Sequence, residues 1–136
     1  MNISVSHVQG KVPVTVLKLE GQLDGQSYQD VIVKAREAYA AGWRDFLIDM
    51  SELTYISSAG LVALHSVALL SRGEQLPDTE AGWSAYRSVG RSKEAGIQQH
   101  LKLLNPRSEV RGVLDMVGFT SVFQIFTDLD EAIQSF

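Results

Sequence analysis

The run DFLIDM at residues 45–50 is almost continuously apolar, the pattern of a short strand that lies at the centre of a sheet and is covered on both faces. A chain with such a strand must supply cover for it, and the flanking segments carry helical periodicity. Between Ser27 and Ala41, Val31, Ala35 and Ala38 lie on one stripe with Tyr28 and Ile32 beside it, and Gly42 stands where the helix stops. On the other side, YISSAGLVAL at residues 55–64 places two serines, an alanine and a glycine where the next helix begins. That helix is expected from about Ser58 to Leu70. Small hydroxyl residues at such a junction either cap the helix or present a hydroxyl for modification.

The remaining segments complete the alternation. ISVSHVQ and VPVTVLKLEGQL carry β-branched residues in partial alternation around a turn at Gly10 and Lys11, and read as a hairpin. Later, HLKLLN reads as a strand, Ser108 to Val117 as a helix with Ser108 as N-cap and Gly118 as stop, and SVFQIF as the last strand. DLDEAIQSF closes the chain as a helix with Asp128 and Glu131 at capping-box spacing. Strands alternating with helices after an opening hairpin imply a single α/β domain, with packed helices around a mixed, mostly parallel sheet containing one antiparallel pairing. The 136 residues, 45% of them hydrophobic, suffice for one core, so the domain is expected to span residues 1–136. Residues 71–96 break the pattern, with four glycines, one proline, four positive and four negative side chains and no sustained apolar period. They read as an insertion, expected to be a mobile surface loop, in which Trp83 and Tyr86 either anchor a partner or tuck back onto the domain.

Several function classes drop out on composition and spacing. A net charge of −4 does not suit a protein that displaces counterions from a phosphate backbone, so nucleic acid is not an expected partner. The absence of cysteine excludes disulfides, thiolate metal sites and cysteine nucleophiles. MNISVSHVQG lacks the basic start and apolar run of a signal peptide, and LVALHSVALL, interrupted by His65 and Ser66, is too short to cross a bilayer. A cytoplasmic protein without membrane insertion is expected. A hydrolytic Ser58 would need glycines on both sides, but Ile56 precedes it and only Gly60 follows. His65, seven residues along the helix, would stand about 10 Å away along the axis. His7 and His100 sit in strand-like segments and read as structural residues. No glycine-rich phosphate loop with its lysine and no metal-ligand cluster is present, so no cofactor or metal is expected. Asp49 stands where a receiver domain would carry its phosphoacceptor. The acidic pair after the first strand and the lysine after the last strand are missing, since the last lysine is Lys102. Asp49 therefore reads as a structural or site-edge carboxylate.

The segments LEGQLDG, FLIDMSELTYISSAGLVALHSV and LLNPRSEVRGVLDMVGF together resemble a STAS domain of the anti-sigma-factor antagonist type. The order of elements matches over nearly the whole chain apart from residues 71–96. The resemblance implies a non-enzymatic regulatory domain in which a serine in the turn before the second helix is phosphorylated by a partner serine kinase that also acts as the anti-sigma factor, and is dephosphorylated by a serine phosphatase. Carried onto this sequence, the phosphoacceptor is Ser58, with Asp24 of QLDG on the neighbouring loop. Where the family often has Asp before the phosphoserine this chain has Ser57, and Ala59 stands where many members have Ser or Thr, which makes Ser57 the alternative acceptor. The resemblance equally admits a STAS scaffold subunit of a larger regulatory or transporter complex that is not phosphorylated.

The residues supply a mechanism beside the resemblance. A helix starting near Ser58 offers unpaired N–H groups and the positive end of its dipole, and Ala59 to Val62 includes no acidic residue to repel a phosphate. Gly60 costs about 1 kcal/mol of helix stability relative to Ala. Either an approaching group or close packing on the sheet accounts for it. Leu61, Leu64 and Ala68 share the stripe expected to face the sheet, whereas Ser58, Val62, His65 and Leu69 share a second stripe. Exposed, that second stripe would form with Asp24 and Ser57 a docking face; neighbouring helices or the insertion would otherwise cover it.

Overall fold

The computed structural model describes residues 1–73 and 97–136 of the chain. A hairpin opens it, β1 (Asn2–Gln9) pairing antiparallel with β2 (Pro13–Leu23) from Asn2 opposite Glu20 to Gln9 opposite Pro13. After α1 (Tyr28–Ala40), β3 (Asp45–Ile56) lies parallel to β2. α2 (Ser58–Ser71) leads towards β4 (Leu101–Leu104), which adds parallel to β3. α3 (Ser108–Met116), a 3-10 turn at Phe119–Ser121, the two-residue β5 (Ile125–Phe126) and α4 (Leu129–Gln134) follow. The sheet order is β1-β2-β3-β4-β5, with one antiparallel pairing and three parallel ones. This is the expected α/β architecture.

Alternation along β3 explains the apolar run that announced it. Phe46 and Ile48 join the larger core with Leu17, Leu19, Val31, Ala35, Leu64 and Leu114, beneath α1, α2 and α3. Leu47 points the other way, into a smaller core formed with Val14, Val16, Leu104, Ala132 and Ile133 of α4. All three β3 residues are fully buried, as a strand covered on both faces must be. Gly42 (φ 105°) and Gly118 (φ 80°) adopt left-handed conformations beyond α1 and α3, the geometry expected of helix stops.

Two local expectations are corrected and a third is refined. Ser108 is the first residue of α3, and the N-cap position belongs to Arg107, whose side chain makes no capping bond. Arg107 reaches back to β3 instead, donating from Nε to Ser51 O at 3.0 Å and meeting Glu52 at 3.3 Å. SVFQIF forms a strand only at Ile125 and Phe126. Left-handed Gly118 turns the chain so that Val122 and Phe123 bond back to Phe119 O, and their apolar side chains fill the larger core, with Phe119 and Phe123 packed edge to face at 5.2 Å. Asp128 does cap α4, but its carboxylate accepts from Asp130 N at 2.9 Å. The insertion expected over about 71–96 falls, beyond Ser71 to Gly73, outside the described residues, as do Trp83 and Tyr86.

Candidate functional site

The C-terminal ends of β2 and β3 lie side by side, Gln22 opposite Tyr55 and Leu23 opposite Ile56. The pairing continues one step beyond the strands, where Ser57 N donates to Leu23 O at 2.9 Å. The loop before α1 and the turn before α2 are thereby held at the C-terminal end of these parallel strands, which brings Asp24 and the Ser57–Ser58 pair to the same end of the sheet.

The two serines have different jobs. Ser57 is the N-cap: its backbone is extended (φ −99°, ψ 179°) and its Oγ accepts from Gly60 N at 3.4 Å, a long bond. Ser58 is the first helical residue and is exposed. Among the described residues its Oγ takes part in no hydrogen bond. The hydroxyl that caps is thus separate from the hydroxyl that is presented. Ser57→Ala is expected to cost about 0.5–1 kcal/mol of unfolding free energy, and Ser58→Ala less than about 0.5 kcal/mol. Denaturant unfolding of both variants checks the assignment, and equal losses would mean that the cap is shared.

The first turn of α2 contains no acidic residue, so its free N–H groups and dipole favour a negative group on Ser58. Gly60 does not clear space for that group. It is buried, and a Cβ there would stand 2.6 Å from Ile56 Cγ1, 2.9 Å from Leu23 Cγ and 2.9 Å from Leu23 O. The glycine lets the helix start sit directly on the ends of β2 and β3.

Asp24 is half-buried and organises its own loop. Its Oδ1 accepts from Gln26 N at 3.0 Å and lies 3.2 Å from Ser27 Oγ, while Ser27 Oγ accepts from Asp24 N at 3.0 Å and donates to Gln22 O at 2.8 Å. Its Oδ2 takes no part in these bonds. Asp49 is likewise engaged within β3, its Oδ1 accepting from Ser51 N at 3.0 Å and Ser51 Oγ at 2.7 Å. It sits in mid-strand, seven residues before Ile56, away from the edge where the serines lie.

The expected second stripe of α2 is not a free face. Val62 is 7% exposed and His65 2%, and Leu69 is half-buried. α2 is apolar nearly all round, as befits a helix buried on most of its circumference; α1 packs along it and β3 and β4 lie against it. Val62 and His65 are therefore enclosed, and of the residues expected on a docking face Ser57, Ser58 and Asp24 lie at the C-terminal ends of β2 and β3. Tyr55, half exposed at the end of β3 and two residues before Ser57, joins them. In the sequence it stands one residue before Ile56, the buried last residue of β3.

Among the described residues no group of three or more His, Asp or Glu is placed to hold a metal ion, and no helix is long and apolar enough to cross a membrane. A family model described as "Mlab, STAS domain" matches residues 6–77, more than half of the chain. No curated protein matches significantly. Solved structures do. The anti-sigma factor antagonist SpoIIAA in its unphosphorylated form is 21% identical, with 97% of this chain and 93% of that one covered and a TM-score of 0.63. An anti-sigma factor antagonist from Mycobacterium paratuberculosis is 14% identical, with 98% and 93% covered and a TM-score of 0.63. SpoIIAA from Bacillus in its phosphorylated form is 19% identical, with 97% and 96% covered and a TM-score of 0.56. At these identities what is shared is the fold.

Proposed function

The chain belongs to the STAS domain family, whose members are regulatory and scaffold domains without catalytic activity, and on that premise we propose that it is an anti-sigma-factor antagonist switched at Ser58. Unmodified, it holds a serine kinase that doubles as the anti-sigma factor; with phosphate on Ser58 it releases that partner, and a serine phosphatase resets it. The domain spans residues 1–136 with an insertion at about 71–96. The observation that carries the reading is the division of labour at the start of α2, where Ser57 caps and the exposed Ser58 hydroxyl makes no hydrogen bond among the described residues. Ser57, Ser58, Asp24 and Tyr55 form the partner-facing end, Leu69 stands about 16 Å further along α2, and Val62 and His65 act from beneath by fixing the helix.

Phosphosite mapping on protein purified from its native cell tests this directly. Phosphate is expected on Ser58, with Ser57 the alternative, and none is expected on Asp49 after incubation with acetyl phosphate. Stoichiometric phosphate on Asp49, or esterase turnover lost in Ser58→Ala, would overturn the proposal. A second reading, a STAS scaffold subunit of a larger regulatory or transporter complex without phosphorylation, is favoured by Ser57 standing where the antagonists often carry Asp. An unphosphorylated Ser58 together with stable co-purification in a larger complex would select it.

A further inference from the structure

At the opposite end of the sheet, where β3 and β4 begin, Lys102 has only 5% of its surface exposed. A buried lysine is ordinarily paired with a carboxylate, because an uncompensated ammonium in the interior is costly. Lys102 Nζ instead donates to Ser135 O at 2.9 Å and to Ser135 Oγ at 3.0 Å, and stands 4.5 Å from the centre of the Phe136 ring and 5.8 Å from that of Phe126. Among the described residues no carboxylate lies within 4.0 Å of it. Asp45 is held elsewhere, its Oδ1 lying 2.8 Å from His100 Nδ1. Burial pushes the Lys102 pKa down, and the more distant Asp45 only opposes that shift. The ammonium has three protons, and Ser135 takes two of them.

Lys102 lines a cavity of about 380 Å³ with Val12, Asp45, His100, Ser135 and Phe136, and three glutamine side chains complete its wall. The volume is at the small end of ligand sites, and the wall is mostly polar, with Val12 and Phe136 as its apolar part.

We propose that this cavity binds a small monocarboxylate, whose carboxylate accepts the third Lys102 proton and whose apolar body lies against Phe136 and Val12. The charge balance chooses the class. Lys102 has no carboxylate within 4.0 Å, so one singly charged acceptor completes its shell, whereas a phosphate dianion would bring excess charge against Asp45 on the same wall. The site is independent of the Ser58 switch, since the length of β3, roughly 35 Å at strand rise, lies between them.

NMR titration of the whole chain with benzoate, acetate and inorganic phosphate tests the assignment. Benzoate is expected to move the Lys102 Cε resonance and the amides of Gln99, His100 and Ser135 saturably, with acetate weaker and phosphate weaker still. Lys102→Met, which keeps the unbranched apolar stem without the ammonium, is expected to bind benzoate at least about tenfold more weakly. Phosphate binding tighter than both carboxylates would overturn the ligand class. An unmoved Lys102 Cε resonance in the wild-type protein would overturn the site, with no need for the variant to fold, and so would equal benzoate affinity in Lys102→Met.

Discussion

Phosphorylation of Ser58, or its replacement in Ser58→Asp, is expected to lower affinity for the partner kinase at least tenfold, a loss of about 1.4 kcal/mol or more, while Ser58→Ala retains binding. The cause is local. A phosphate brings nearly two negative charges to an edge that the unmodified protein presents as a hydroxyl. The Asp24 carboxylate at the same end of the sheet, with one oxygen outside its loop bonds, adds to the negative field. A partner surface formed around a neutral hydroxyl must then desolvate or repel that charge.

Within the domain the same phosphate meets a favourable environment, the N-terminus of α2 with no acid in its first turn. Its effect on stability is therefore expected to be neutral or favourable by up to about 1 kcal/mol. The phosphorylated and unmodified proteins should melt within a few degrees of each other. Partner titration paired with thermal unfolding on both forms decides the mechanism. Equal affinity of Ser58→Ala and Ser58→Asp would remove Ser58 from it, and a fall in melting temperature that tracks the loss of binding would replace electrostatics with unfolding.

Gly60→Ala is expected to destabilise the domain by about 1–3 kcal/mol, the range of overpacked core substitutions, and to lower its melting temperature by roughly 5–10 °C. On helix propensity alone alanine would gain about 1 kcal/mol. Packing opposes this and wins. The new methyl would meet Leu23 O at 2.9 Å, and that oxygen is backbone, already accepting from Ser57 N at 2.9 Å. It can move away only by loosening the bond that ties the α2 turn to the end of β2. Ile56 Cγ1 at 2.6 Å and Leu23 Cγ at 2.9 Å crowd the methyl from the other sides, and both side chains are buried in the larger core. Urea or thermal unfolding reads the effect. A variant as stable as wild type would show that the helix start has slack and that Gly60 is retained for another reason. Because the crowded atoms belong to the turn that presents Ser58, Gly60→Ala should also weaken partner binding.

Much of this protein was legible one segment at a time, because the relevant physics is local. Left-handed glycines end α1 and α3 at Gly42 and Gly118 as their positions in the sequence imply, and the unbroken apolar run Phe46–Ile48 signalled a strand with cover on both sides. Periodicity and turn chemistry act over a few residues, so the order of elements and the α/β class followed from them. Burial does not act that way. On α2 nearly every position is apolar or small, so periodicity defined two stripes without ranking them, and α1, β3 and β4 decided that Val62 and His65 lie inside. Whether Ser57 or Ser58 caps turned on where the chain leaves its pairing with Leu23, a contact across 34 residues of sequence. The reason for Gly60 lies in the same distant carbonyl. Lys102, in a segment that reads simply as a strand, became a buried cation only because Ser135 and Phe136 return to cover it. The sequence by itself determined which elements form and in what order; tertiary structure alone decided which of their side chains are presented and which enclosed, because the atoms that enclose a residue belong to distant parts of the chain.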